Sequence, residues 1–97
     1  MRVTFDAEAL VELDDIYAWI AKESPRAARE MIARIEARVM QLEIPELTNM
    51  GRPGFVEGTR ELLEYPYIIV YQVREDRGEI VILAIVHGAQ DREHERD

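Results

Sequence analysis

The chain has 97 residues, an apolar share of 47%, no cysteine and a formal net charge of −8 at neutral pH. A chain this short has room for a single domain, residues 1–97, and without cysteine it has neither disulfide nor thiolate chemistry. The acidic balance argues against nucleic acid as the principal ligand, and no apolar stretch is long enough to suggest a membrane span.

The first half of the chain has the pattern of a short strand followed by two helices. Residues 2–5 are β-prone, and from Leu10 onward apolar residues recur at spacings of three and four, which predicts an amphipathic helix over residues 7–23. Ser24 and Pro25 mark the start of a second helix, because serine caps a helix N-terminus and proline fits the first turn. The predicted buried faces comprise Leu10, Leu13, Ile16, Tyr17 and Ile20 in the first helix and Ala28, Met31, Ile32, Ile35, Val39 and Leu42 in the second.

The second half changes to strand-forming sequence after a connection, residues 43–58, that is rich in proline and glycine. β-Branched and aromatic residues then dominate residues 59–64, 67–73 and 79–86, which predicts three strands. The breaks between them are short, so neighbouring strands are expected to pair antiparallel. The predicted class is α+β: a short N-terminal strand, an antiparallel helical hairpin and a three-stranded antiparallel meander, in the order β-α-α-β-β-β.

The last two strands carry apolar side chains on both faces. Strict alternation places Ile68 and Val70 on one face of the first of them, and Leu83 and Ile85 together on one face of the other. One helical hairpin can cover only one sheet face, so apolar surface on the other face is expected to bind a protein partner, with Leu83 and Ile85 or Ile68 and Val70 at the interface. The alternative is that strong twist and the connection over residues 43–58 cover that face.

Three motifs in a fixed order resemble the RelE/ParE toxin superfamily of bacterial type II toxin–antitoxin systems, and its ParE-like branch more than its RelE-like branch. They are Arg60-Glu-Leu-Leu, the strand Tyr67-Ile-Ile-Val-Tyr-Gln-Val73 and the ending Val86-His-Gly-Ala-Gln-Asp91. The resemblance spans nearly the whole chain. It implies a toxin held in a hetero-oligomer by a cognate ParD-like antitoxin of the ribbon-helix-helix type, with DNA contacted only through the antitoxin.

The resemblance also implies how such a toxin acts. ParE-like members are taken to inhibit DNA gyrase by protein binding, so Arg60, His87, Asp91 and Arg92 become candidates for target contact. The antitoxin contacts implied by the strand pattern are Ile68, Val70, Leu83 and Ile85.

A RelE-like ribonuclease that cuts messenger RNA on the ribosome is the alternative activity. That chemistry needs cationic groups at the scissile phosphate and groups that move protons. RelE-like nucleases place arginine where this chain has Ile68 and Gln90, and a tyrosine later than Tyr71, which is the last tyrosine here. ParE-like members also often carry basic residues at Ile68, Ala89 and Gln90, so a different target, or a non-toxic module acting only in an autoregulatory antitoxin complex, remains a further alternative.

Other chemistry is weakly signalled. His87 and His94 lie seven residues apart across a glycine and a polar tail, which is no recognised zinc spacing, so neither a metal nor a cofactor is expected. Tyr17 and Trp19 are interpreted as core residues, since aromatics at helical spacing usually are. Nothing after Met1 has the apolar run of a secretory leader, so a cytoplasmic location is expected, and residues 88–97 are expected to form a charged, frayed end.

Overall fold

The chain folds into two helices packed on one face of a mixed β-sheet. The computed structural model describes residues 1–88. The α+β class and the antiparallel meander are confirmed, as is the order of the predicted elements. The helices and strands are β1 (Arg2–Phe5), α1 (Ala7–Ala21), α2 (Pro25–Gln41), β2 (Arg52–Pro53), β3 (Arg60–Glu64), β4 (Tyr67–Arg74) and β5 (Glu79–His87).

The sheet joins the two ends of the described chain. Its strand order is β1-β5-β4-β3-β2, and β1 runs parallel to β5 with Val3 opposite Ile80, whereas the other neighbours are antiparallel. The strand β2 was not predicted. It is a two-residue edge strand within the proline-rich connection, and an edge is where proline is tolerated because it needs no ladder hydrogen bond there. The prediction of a frayed end over residues 88–97 lies, apart from Gly88, outside the described residues.

The helical hairpin covers one sheet face and encloses the core. The predicted start of α2 is confirmed, because the Ser24 hydroxyl accepts a hydrogen bond from the Ala27 N–H at 3.1 Å. Two side chains of this helix, Ile35 and Val39, are fully buried, as is Leu42 directly after its C-terminal end. They pack with Ala9, Leu13 and Ile16 of α1 against the sheet residues Leu62, Tyr67, Ile69, Tyr71, Ile80, Ile82 and Ile85.

The predicted face of α1 was partly wrong. Leu10 and Tyr17 are 50% and 39% exposed, while Ala9 is fully buried. The stripe that runs from Ala9 through Leu13 and Ile16 also follows spacings of three and four, and the small Ala9 lets the helix approach the sheet closely. Burial of this stripe leaves larger apolar side chains on the outer sides of α1.

A buried tyrosine ties the long connection to the sheet. Tyr71 has no exposed surface, and its hydroxyl donates to the Thr48 carbonyl and accepts from the Gly51 N–H, both at 3.0 Å. A Cβ atom on Gly51 would lie only 2.8 Å from the Tyr71 hydroxyl, so the close approach requires glycine. The connection is therefore held against the core edge on the side of β3.

Candidate functional site

The sheet face opposite the hairpin, called here the open face, presents an apolar strip along β3, β4 and β5. The register places Leu63 beside Ile68, Ile68 beside Val86, and Val70 beside Ala84. Within residues 1–88 both helices pack on the other side of the sheet. Ion pairs flank the strip, Arg52 with Glu61 at 3.3 Å and Arg74 with Glu79 at 3.7 Å. An apolar strip with a charged rim has the character of a protein-binding surface.

A β-bulge separates Leu83 from Ile85, which strict alternation places together on one face of β5. The register of β4 with β5 shifts between Val70 and Tyr71, opposite Leu83. Because the bulge adds one residue to β5, Ile82 and Ile85 both point into the core, and Ile85 is only 2% exposed. The prediction that Ile85 shares a face with Leu83 was therefore wrong.

The remaining three predicted contact residues differ in how much surface they offer. Val70 and Leu83 are half-buried, but Ile68 is only 3% exposed. A Cβ atom built on Gly88 would lie 3.2 Å from the Ile68 Cδ1, so the end of β5 folds over that side chain. Leu63, which the sequence did not single out, pairs with Ile68 and is 52% exposed. Leu63, Val70 and Leu83 are thus accessible in the strip, and Ala84 and Val86 are half-buried beside them.

The two outer strands of the sheet offer little for strand addition. On β1, the outward-facing Val3 N–H donates to the Glu43 carboxylate at 2.9 Å, so a side chain already occupies this position of the edge. On the opposite edge, β2 is two residues long and ends in Pro53, which has no N–H to donate. A partner would thus meet side chains on the faces of the protein more readily than backbone at these edges.

A second concave surface lies between α1 and the ends of β4 and β5, and is called here the α1 cleft. It has a volume of about 430 Å³. The Ile85 N–H donates to the Glu12 carboxylate at 2.8 Å, which fixes this carboxylate in the cleft. The Tyr67 and His87 rings meet edge to face at 5.7 Å between centroids. The lining residues are Glu12, Asp15, Ile16, Trp19, Tyr67, Ile85 and His87.

Trp19 is an exposed wall of this cleft, so its assignment to the core was wrong. The side chain is 69% exposed, and Tyr17, also assigned to the core, is 39% exposed. Position 19 lies about a quarter turn away from the buried stripe of α1, so helical spacing alone did not identify its environment. The absence of basic residues throughout α1 is a sequence signal for a distinct surface on this helix.

Burial also affects one ionisable group of the cleft. It raises the pKa of the Tyr67 phenol above its usual value of 10.0, because burial disfavours the charged phenolate. The Tyr67 hydroxyl is therefore neutral at physiological pH and available as a hydrogen-bond donor. His87, a predicted target contact, is exposed at the rim of the same cleft.

Arg60, another predicted target contact, lies apart from the α1 cleft. Its guanidinium donates to the Gly51 carbonyl at 3.1 Å and to the Asn49 side chain at 3.4 Å. It lines a polar cavity of about 630 Å³ beside the end of β4, together with Gln72 and Arg74. The structure thus separates Arg60 from His87, and the remaining candidates, Asp91 and Arg92, lie outside the described residues.

The described part of the chain offers no group of three or more histidine, aspartate or glutamate side chains that could hold a metal ion. His87 lies in this part of the chain, and His94 lies outside the described residues. None of the described helices is both long and apolar enough to cross a membrane.

Comparisons with known proteins place this geometry in a family. The model of the family described as the ParE toxin of the type II toxin–antitoxin system, parDE, matches residues 3–92. A protein of Sinorhizobium fredii (strain NGR234) with the name "Putative toxin Y4kP" is 40% identical over 91 residues, which cover 92% of this chain and 90% of that protein.

Solved structures agree with that match. The chromosomal ParDE system of P. aeruginosa contains a chain with a TM-score of 0.77 and 30% identity, covering 90% of this chain and 95% of that one. The RelBE2 complex of Mycobacterium tuberculosis gives a TM-score of 0.61 at 24% identity, over 89% of this chain and 95% of that one. The E. coli RelBE complex gives 0.60 at 14% identity, over 89% and 94%, so these last two share the fold.

Proposed function

The chain belongs to the ParE toxin family of type II toxin–antitoxin systems, and we propose that a cognate ParD-like antitoxin neutralises it and that the free protein inhibits DNA gyrase. The observation that carries the proposal is the apolar strip of the open face on a chain of this family. The similar chains of known structure come from systems or complexes named for a toxin and its antitoxin. The active unit is one toxin domain over residues 1–97, in the cytoplasm, contacting DNA only through the antitoxin.

The antitoxin contacts side chains of the open face. Val70 and Leu83 form the centre of the contact, with Leu63 beside them. Ile68 belongs to the same strip but is buried, and it supports these side chains by packing. The occupied Val3 N–H and the missing N–H of Pro53 disfavour strand addition at those two positions, which leaves side-chain contact on the open face as the proposed mode. An apolar centre surrounded by paired charges is the usual arrangement of a protein–protein interface.

Protein binding accounts for the residues better than catalysis does. RNA cleavage requires positive charge next to the reacting phosphate, and the strand position where RelE-like nucleases have arginine is here Ile68, buried against Gly88. Arg52 and Arg74, which flank the open face, are paired with Glu61 and Glu79. We therefore propose an inhibitor without enzymatic activity, whose target contacts include His87 and Arg60, with Asp91 and Arg92 as further candidates.

A supercoiling assay with purified gyrase and antitoxin-free protein tests the activity. Cleaved plasmid should accumulate, and the antitoxin should abolish the effect. Gyrase that keeps its full activity beside well-folded toxin would refute gyrase as the target. Cleavage of messenger RNA on ribosomes, read by primer extension, would instead establish the RelE-like alternative, and growth unaffected by expression would favour a purely regulatory module.

The substitution Val70→Glu tests the open face separately. A carboxylate in the centre of the apolar strip would be desolvated on complex formation, so calorimetry should show at least a hundredfold loss of antitoxin affinity. Val11→Glu makes the same change at a residue 57% exposed on the outer side of α1, and it should leave binding within a few-fold of the unsubstituted protein. Equal affinities for the two folded variants would show that the antitoxin docks elsewhere.

A further inference from the structure

We propose that the α1 cleft binds the charged end of an arginine or lysine side chain of the antitoxin, between the Asp15 carboxylate and the ring of Trp19. The inference rests on the proposed function for the identity of the partner, but the cation chemistry of the cleft can be tested without it. Two observations carry it: the charge of α1, and the exposure of Trp19, which lines the cleft together with Asp15.

The helical hairpin is strongly polarised in charge. Residues Ala7–Ala21 of α1 contain Glu8, Glu12, Asp14 and Asp15 and no lysine or arginine, whereas Pro25–Gln41 of α2 contain four arginines and two glutamates. A partner segment that crosses α1 meets four carboxylates and no lysine or arginine within that helix. Electrostatic complementarity therefore selects a basic segment there and disfavours an acidic one.

Trp19 supplies the apolar contact for such a cation. Its ring is 69% exposed, and the ammonium group of Lys22 already lies 5.2 Å from the ring centroid. The same ring lines both the cavity next to Lys22 and the α1 cleft. Among the described residues that line the α1 cleft, the acidic side chains are Asp15 and Glu12, and a cation bound there would gain an ion pair with Asp15 as well as a cation–π contact with Trp19.

The Glu12 carboxylate is placed before any ligand arrives. Its hydrogen bond from the Ile85 N–H, at 2.8 Å, fixes it to the backbone of β5. This contact and a further interaction hold Glu12 in place, so Asp15 is the carboxylate assigned to the cation. The Tyr67 and His87 rings, in contact with each other, also line the cleft.

Ligand titration with the full chain tests the chemistry, because Trp19 is the only tryptophan and its fluorescence reports on the cleft directly. L-Argininamide should produce a saturable change. L-Citrullinamide, which keeps the α-ammonium group but replaces the guanidinium by an uncharged ureido group, should not. Asp15→Asn should weaken argininamide binding at least threefold. Asp14→Asn removes the same charge from the neighbouring residue, which does not line the cleft, and should change it less than twofold. Equal responses to the two amides, or equal effects of the two variants, would overturn the proposal.

The second experiment asks whether the antitoxin supplies the cation. The probe is the purified product of the reading frame adjacent to that of the toxin, titrated calorimetrically. Asp15→Arg should lower its affinity at least tenfold, whereas Asp14→Arg should lower it less than threefold. If the unsubstituted toxin binds this protein and both variants bind equally well, the antitoxin does not use the cleft and the inference fails, while the proposed function stands.

If the unsubstituted toxin does not bind that protein, the proposed partner is wrong, and so is the antitoxin as source of the cation. The argininamide titration then still decides whether the cleft recognises cations. Circular dichroism and the midpoint of thermal unfolding establish for each variant that a loss of binding is not a loss of fold.

Discussion

The substitution Tyr71→Phe should destabilise the fold far more than the loss of one oxygen atom suggests. The Tyr71 hydroxyl is the partner of two backbone groups, the Gly51 N–H and the Thr48 carbonyl, each at 3.0 Å. Gly51 is buried and Thr48 is 6% exposed, so water cannot readily replace the missing oxygen. Phenylalanine fills nearly the same volume, and the expected effect is therefore almost purely that of two unpaired polar groups.

The size of the effect follows from those two groups. A buried donor or acceptor left without a partner costs about 1–3 kcal/mol, so two of them should lower the free energy of unfolding by about 2–6 kcal/mol. Urea denaturation measures this directly. The free energy of unfolding of a chain of this size falls by about 1 kcal/mol per molar unit of urea, so the midpoint should move by about 2–6 M.

The matched control for Tyr71→Phe is Tyr65→Phe. Tyr65 is 78% exposed, and its substitution should change the free energy of unfolding by less than about 0.5 kcal/mol. In Tyr71→Phe the Gly51 amide should also exchange hydrogen faster, since its acceptor is gone. A Tyr71→Phe protein as stable as the Tyr65→Phe control would refute the conclusion that the hydroxyl anchors the connection.

Three further predictions concern stability. Gly51→Ala should lower the free energy of unfolding by about 1–3 kcal/mol, because a Cβ atom would lie 2.7 Å from the Glu61 carbonyl and 2.8 Å from the Tyr71 hydroxyl; an unchanged urea midpoint would contradict that crowding. Ser24→Ala removes the cap of α2 and should cost about 1 kcal/mol, with Ser24→Thr as the variant that keeps an acceptor. The raised pKa of Tyr67 predicts stability that is fully present below pH 10.0 and falls as the pH rises towards the folded-state pKa, because only the unfolded chain ionises easily in that window. Thermal midpoints above pH 10.0 should fall less steeply in Tyr67→Phe, and parallel curves would assign the loss to other groups.

The amino-acid sequence by itself determined the elements and their class. Helical spacing, the Ser24-Pro25 start and the breaker-rich connection are properties of neighbouring residues, and local backbone preferences act on them before any distant contact forms. The family could be recognised for the same reason, since the strand from Tyr67 to Val73 and the ending from His87 to Asp91 are contiguous motifs. The prediction of an uncovered sheet face came from the alternation of apolar residues along single strands. It also used the presence of one helical hairpin, which can cover one face.

Only the tertiary structure decided which side chains share a surface. Alternation assumes an unbroken strand, but the bulge opposite Val70 returns Ile85 to the core and leaves Leu83 outside. Helical periodicity admits two stripes on α1, and packing against β5 selected the one through Ala9, which exposes Trp19. The α1 cleft joins residues more than forty positions apart, from Glu12 to Tyr67 and Ile85. These residues come together only when the helix docks on the sheet. The docking depends on the free energy of contacts between residues that are distant in sequence, and no local window of the sequence contains them.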